Sequence, residues 1–156
     1  MNAQELFFRT IQNGNSDNVK SQLQHNPHLV NSEDPRGFTP LIFATYFDKE
    51  EIAKILIEHK ANVNGKDASG NTALIGVSFK GNLGLVELLL NNGADINEQN
   101  NKGTTALSFA TQYNQEAIVS YLLSHNADTS LTDSDGKTAL DFAKEKGFKN
   151  IEVMLS

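Results

Sequence analysis

The chain has 156 residues, 38% of them hydrophobic and 21% charged, which supplies a core for one domain and excludes a disordered polyelectrolyte. Thirteen Lys and Arg stand against nineteen Asp and Glu, for a net charge of −6, a balance that argues against nucleic-acid phosphates and anionic lipid as partners. Cysteine is absent, so disulfides, thiolate catalysis and Cys-ligated zinc are excluded.

In chain order, Met1-Asn2-Ala3-Gln4-Glu5 has no basic region followed by an apolar run, and so does not read as a signal peptide. It leads almost directly into a first helix, with Phe8, Val19, Leu23, Val30 and Asn31 marking out a unit over residues 1–33. A spacing of 33 residues then sets in. Gly37, Gly70, Gly103 and Gly136 keep it, as do Thr39, Thr72, Thr105 and Thr138, and Leu41, Leu74, Leu107 and Leu140. Further on, Ile52, Leu85, Ile118 and Ile151 line up, then Leu56, Leu89, Leu122 and Leu155, while Ala61, Ala94 and Ala127 recur. Such a period identifies a stacked-repeat architecture. The units run 34–66, 67–99 and 100–132, with 133–156 as a shortened last one.

Each column has a physical reason. The threonines stand where a hydroxyl accepts from the free amides of a starting helix. Pro40 fits the next position because it has no N–H to leave unpaired, and Asp141 adds a capping-box carboxylate to Thr138. Ile52, Ile55 and Leu56 form a buried stripe, repeated by Leu85, Leu88 and Leu89, and by Ile118, Tyr121 and Leu122. Ala44, Ala110 and Ala143 let the helices approach closely, with Val77 a bulkier exception. Residues 62–70 carry turn chemistry. The end units, 1–33 and 133–156, are expected to act as caps, the latter with Lys144, Glu145, Lys146, Lys149 and Glu152 facing water.

Gly37-Phe38-Thr39-Pro40-Leu41 with Ala44, and Leu88 through Asn97 (LLLNNGADIN), resemble the two signature blocks of the ankyrin repeat. The resemblance covers the whole chain. It implies an all-α repeat solenoid in which each unit has two antiparallel helices and a β-hairpin finger, stacked in a single curve. Departures are mild: Ala73, Ala106 and Ala139 stand in place of the proline, and Lys60 and Asn126 in place of the helix-ending glycine that Gly93 keeps.

No chemistry-bearing constellation emerges. His59 and His125 share a column two units apart, about 20 Å at roughly 10 Å per helix layer, too far to share a zinc ion. His25 and His28 flank Asn26-Pro27 without partners. Asp133-Ser134-Asp135-Gly136 fails as a calcium loop, since Leu131 and Phe142 fall where carboxylates are required. Gly81-Asn82-Leu83-Gly84 lacks the strand and spacing of a phosphate-binding loop. No nucleophile motif occurs. The expectation is a chain without catalytic residues, metal or cofactor.

By the resemblance, the partner-binding surface is the concave side, lined by fingertips and the exposed parts of the first helices. On this sequence those positions are Arg36, Phe38, Tyr46, Phe47, Ser69, Asn71, Phe79, Lys80, Lys102, Thr104, Gln112 and Tyr113. Phe38, Tyr46, Phe47, Phe79 and Tyr113 gather aromatics there, the residues that anchor protein interfaces. The expected function is a cytoplasmic, monomeric protein-binding module, a small regulator or sequestering protein with no nucleic-acid or membrane partner. A dedicated inhibitor or immunity protein is one alternative, with Glu33, Asp34, Asp48, Glu50, Glu51 and Asp95 meeting a basic target. A translocated effector acting in a host cell is the other.

Overall fold

The computed structural model describes residues 1–156 as ten α-helices with no strand. They are α1 Ala3–Gln12, α2 Ser16–His25, α3 Pro40–Tyr46, α4 Glu50–Glu58, α5 Ala73–Lys80, α6 Leu83–Asn91, α7 Ala106–Gln112, α8 Glu116–Ser124, α9 Ala139–Lys146 and α10 Lys149–Leu155. A 3-10 turn at Pro27–Asn31 follows α2. The helices come as pairs, α1 with α2 through α9 with α10, and each odd-numbered helix also packs on the next odd-numbered one.

The punctuation read from the sequence starts these helices. Thr39, Thr72, Thr105 and Thr138 accept from the amides of Ile42, Ile75, Ser108 and Asp141 at 3.1–3.3 Å. Asp141 returns the bond to the Thr138 amide at 2.9 Å, which completes a capping box. The helix ends are equally regular. After α4 the Lys60 amide donates to the Ile57 carbonyl and the Ala61 amide to the Leu56 carbonyl, both at 3.0 Å. This pair of bonds is a Schellman motif. It requires Lys60 in the left-handed region, where its φ is 73°. Gly93 and Asn126 hold the same position after α6 and α8, with φ of 93° and 65°.

Inside, the repeated columns meet. Ile52, Leu85, Ile118 and Ile151 are fully buried, as are Leu56, Leu89 and Leu122. Burial of each such side chain is worth about 1.5–3 kcal/mol. Ala44, Ala110 and Ala143 sit at the close approaches with no exposed surface. Leu155 departs from its column and is only partly buried, at the end of α10.

The expected β-hairpin fingers take a different form. Each is a closed turn held by two backbone bonds, as from the Asp67 amide to the Asn71 carbonyl at 3.0 Å and from the Gly70 amide to the Asp67 carbonyl at 2.9 Å. The side chain at the turn's first position takes the amides that a ladder would use. Asp67 Oδ1 accepts from Ser69 and Asn71, and Asp34, Asn100 and Asp133 do the same in their turns. With its amides satisfied within five residues, the loop has no need to extend into strands. Neighbouring turns link through Asn101 to the Ser69 carbonyl and Ser134 to the Lys102 carbonyl at 3.0 and 2.9 Å. No such bond joins Ala68 to Arg36; the second and third units are linked instead through Lys80 and Asn82 to Asp48 and through Asn64 to the Asp95 amide.

Candidate functional site

The exposed aromatics stand on the odd-numbered helices: Tyr46 ends α3, Phe79 lies in α5 and Tyr113 caps α7. Tyr46 and Tyr113 are each 53% exposed and Phe79 is 37% exposed. The other large exposed apolar residues are Met1, Leu6 and Val153, near the two chain ends. Tyr46 lies parallel to Phe38 with ring centres 6.5 Å apart and meets Phe47 edge-on at 5.1 Å. Phe79 meets Tyr113 edge-on at 4.6 Å and tilts against Phe109 at 6.1 Å. The twelve residues expected at the surface therefore include two aromatic groups, Phe38, Phe47 and Tyr46 on one side, Phe79 and Tyr113 on the other.

Between them lies a cleft of about 280 Å3. Phe38, Ile42, Tyr46, Ser69, Asn71, Gly76, Phe79 and Lys80 are among the residues around it, with Asp67 at the turn. Arg36 is held by Asp34 through two bonds to Oδ2, at 2.9 and 3.2 Å, and its guanidinium lies 4.6 Å from the centre of the Phe38 ring. Lys80 donates to the Tyr46 carbonyl, pairs with Asp48 at 3.3 Å and lies 4.8 Å from the Tyr46 ring. Of these pairings, only that of Lys80 lies on the cleft's own lining. Together they occupy Asp34 and Asp48, two of the acidic residues expected to meet a basic target.

Exposure differs among the remaining positions. Ser69 and Lys102 are exposed, and Lys102 makes no ion pair. Phe38, Phe47, Asn71 and Gln112 are half-buried. Phe47 packs edge-on against Phe43 at 4.9 Å, Asn71 accepts from Asn100 at 2.8 Å, and Gln112 donates to Ser108 at 3.2 Å. Thr104 is a correction. It is only 7% exposed, with its amide turned back onto Asn100 Oδ1, and offers almost no surface to a partner.

A second cleft, of about 470 Å3, opens where α1 meets the first turn, among Glu5, Phe8, Arg9, Glu33, Arg36 and Phe43. Neither it nor Gly76 stands out in the sequence until the column Phe43, Gly76, Phe109, Phe142 is written out at the same 33-residue spacing.

The titrations belong to caps and turns. Hydrogen bonds from the Ser130 side chain and backbone hold the Asp128 carboxyl below its ordinary value. The backbone hydrogen bond from Thr138 does the same for Asp141. Glu145, bonded to Lys137 at 2.9 Å, raises that ammonium. Three of the histidines belong to helix ends. His25, His59 and His125 stand at the ends of α2, α4 and α8, each with Nδ1 2.8–2.9 Å from the carbonyl four residues back. A carbonyl only accepts, so Nδ1 carries the proton and helps to close the helix. Asn92 makes the same bond after α6. No three His, Asp or Glu side chains are grouped so as to hold a metal ion, and no helix is long and apolar enough to cross a membrane.

Compared with known proteins, residues 7–100 and 76–156 match the family described as ankyrin repeats (3 copies). A stretch of 49 residues is 43% identical to the human protein named DNA-binding protein RFXANK. That stretch is 31% of this chain and 19% of the human protein, so the likeness spans about a fifth of that relative's length.

Proposed function

The chain belongs to the ankyrin-repeat family, whose units are protein–protein interaction modules, and we propose that it binds a protein partner across the surface made by its turns and odd-numbered helices. In this reading the surface is the concave side of a single curved stack, capped by residues 1–33 and 133–156. The observation that carries it is where the large exposed apolar side chains lie. Away from the chain ends they are Tyr46, Phe79 and Tyr113, all on this surface. An exposed ring in water contributes little to folding, whereas an aromatic within a polar rim is the usual anchor of an interface. The rim here is Arg36, Ser69, Asn71, Lys80, Lys102 and Gln112. Aromatic pairing within each group holds the rings in place before binding, which lowers the entropy cost of association.

The human relative's name refers to DNA. The net charge of −6 on this chain favours a protein over a phosphate backbone as the target. A partner that is held across this surface is sequestered by it, which is the role we assign.

The test is affinity capture with two baits, the unchanged protein and a Tyr46→Ala/Tyr113→Ala double variant of equal thermal stability. A partner retained by the first bait and lost from the second supports the reading. Equal recovery on both baits refutes it.

A further inference from the structure

Phe43, Gly76, Phe109 and Phe142 occupy one position in four successive units, and the third unit of the chain, residues 67–99, has no ring there. Folding does not call for glycine there. Gly76 is not among the residues of positive φ, and a Cβ added to it would meet nothing within 4 Å. A glycine in the interior of a helix is otherwise a cost to the helix. What it leaves is space: Gly76 lines the cleft of about 280 Å3 between Tyr46 and Phe79.

A charge is left open beside that space. In the second unit, Asp34 Oδ2 holds Arg36, and the guanidinium lies 5.9 Å from the Phe43 ring. In the last unit, Lys137 Nζ lies 5.5 Å from the Phe142 ring. These turns thus set a cation over their own phenyl ring. The third unit keeps the carboxylate, Asp67, but Ser69 stands in the place of Arg36 and Asn71 in the place of Lys137. Asp67 Oδ1 accepts from the Ser69 and Asn71 amides, while Oδ2 accepts from nothing. The nearby cations are engaged elsewhere, Lys66 with Glu98 at 2.6 Å and Lys80 with Asp48 at 3.3 Å.

We propose that the Gly76 cleft is the specificity pocket of the binding surface, taking an aromatic side chain of the partner over Gly76 and an adjacent Arg or Lys on Asp67. The partner then supplies the ring and the cation that the second and last units supply from their own chain. The occupant is a basic-aromatic peptide segment. Its aromatic ring packs against Phe38, Tyr46 and Phe79, and its charge matches the one carboxylate oxygen at the cleft that has no partner. This rests on the surface being the protein-binding one and adds what it selects.

The test uses three blocked dipeptides as probes, acetyl-Arg-Phe-amide, acetyl-Glu-Phe-amide and acetyl-Arg-Ala-amide, followed by amide chemical shifts. Arg-Phe should move Asp67, Gly76 and Phe79 and bind about tenfold more tightly than Arg-Ala, the scale of one buried aromatic anchor. It should exceed Glu-Phe about threefold, as a half-exposed ion pair allows. Gly76→Phe should fill the cleft, hold or raise the melting temperature and remove Arg-Phe binding; Gly76→Ala should keep it. If Gly76→Phe does not fold, Gly76→Leu carries the same expectation. Absence of any shift at Gly76 with about 10 mM Arg-Phe, or equal binding by Gly76→Phe, overturns the proposal, as do shifts at Gly76 that depend on protein concentration alone. With the captured partner, loss by Tyr46→Ala and Tyr113→Ala but retention by Gly76→Phe refutes the pocket and leaves the surface standing. Retention by all three refutes both.

Discussion

Replacing Lys60 by glycine should stabilise the protein, although it removes a side chain and loosens the unfolded chain. Lys60 closes α4 at φ 73°, with its amide and that of Ala61 bonded back to Ile57 and Leu56 at 3.0 Å. An L-residue in the left-handed region costs about 1–2 kcal/mol. Glycine avoids that cost and gives back about 0.4–1 kcal/mol through the greater freedom of the unfolded chain. Lys60 makes no ion pair that the change would break. The net expectation is a gain of about 0.5–1 kcal/mol, or roughly 2 °C in melting temperature for a chain of this size. Gly93 supplies the reciprocal change. Its added Cβ would meet nothing within 4 Å at φ 93°, so Gly93→Ala tests backbone strain alone and should cost about 1 kcal/mol. Urea denaturation at constant slope measures both. A lower midpoint for Lys60→Gly, or no change for Gly93→Ala, would refute the assignment of these residues to strained helix ends.

Leu89→Ala opens a cavity at a fully buried site and should cost about 2–5 kcal/mol, whereas Leu155→Ala, at a partly buried end, should cost clearly less in the same denaturation series. Equal costs would contradict a stack whose ends are the looser part. Asp141 and Asp128 titrate below the ordinary carboxylate value of 3.8, so the stability each adds is present above that value and fades as pH falls through its lower, folded one. The melting-temperature gap between the unchanged protein and Asp141→Asn should therefore shrink between neutral pH and about pH 2; a constant gap would contradict it. Lys137, raised above 10.5 by Glu145, acts at the other end, and its contribution is present below 10.5 and lost as pH rises past its folded value. Glu145→Gln should remove that alkaline dependence, seen in melting curves across the range.

Much of the fold was legible because a solenoid places the same residue in the same environment every 33 positions. Thr39, Ile52 and Leu56 could each be assigned a role from their column alone, and the threonine caps stand where the spacing put them; of the expected buried stripes, Leu88 and Tyr121 are only half-buried. Features that differ from one unit to the next were not legible in this way. Thr104 shares a column with Phe38 and makes the same amide bond in its turn, yet it is only 7% exposed while Phe38 is half-buried. The hairpin fingers became closed turns because Asp34, Asp67, Asn100 and Asp133 satisfy the local amides. Gly76 was the costliest omission. Its meaning lies in the absence of a side chain, and apolar periodicity counts only the side chains that are present.

Binding by the turn-and-helix surface is open to one comparison, titration calorimetry of the captured partner against four variants. Tyr46→Ala and Tyr113→Ala should each weaken the complex by about 1–3 kcal/mol, the range of an interface anchor. Melting temperatures should change little, because a ring that is half exposed leaves little cavity. Lys54→Ala on α4 and Glu87→Ala on α6 lie on the even-numbered helices and should stay within about 0.5 kcal/mol. Loss of affinity in the Lys54 and Glu87 variants, with the Tyr46 and Tyr113 variants unchanged, would place the interface on the opposite side and contradict the proposal.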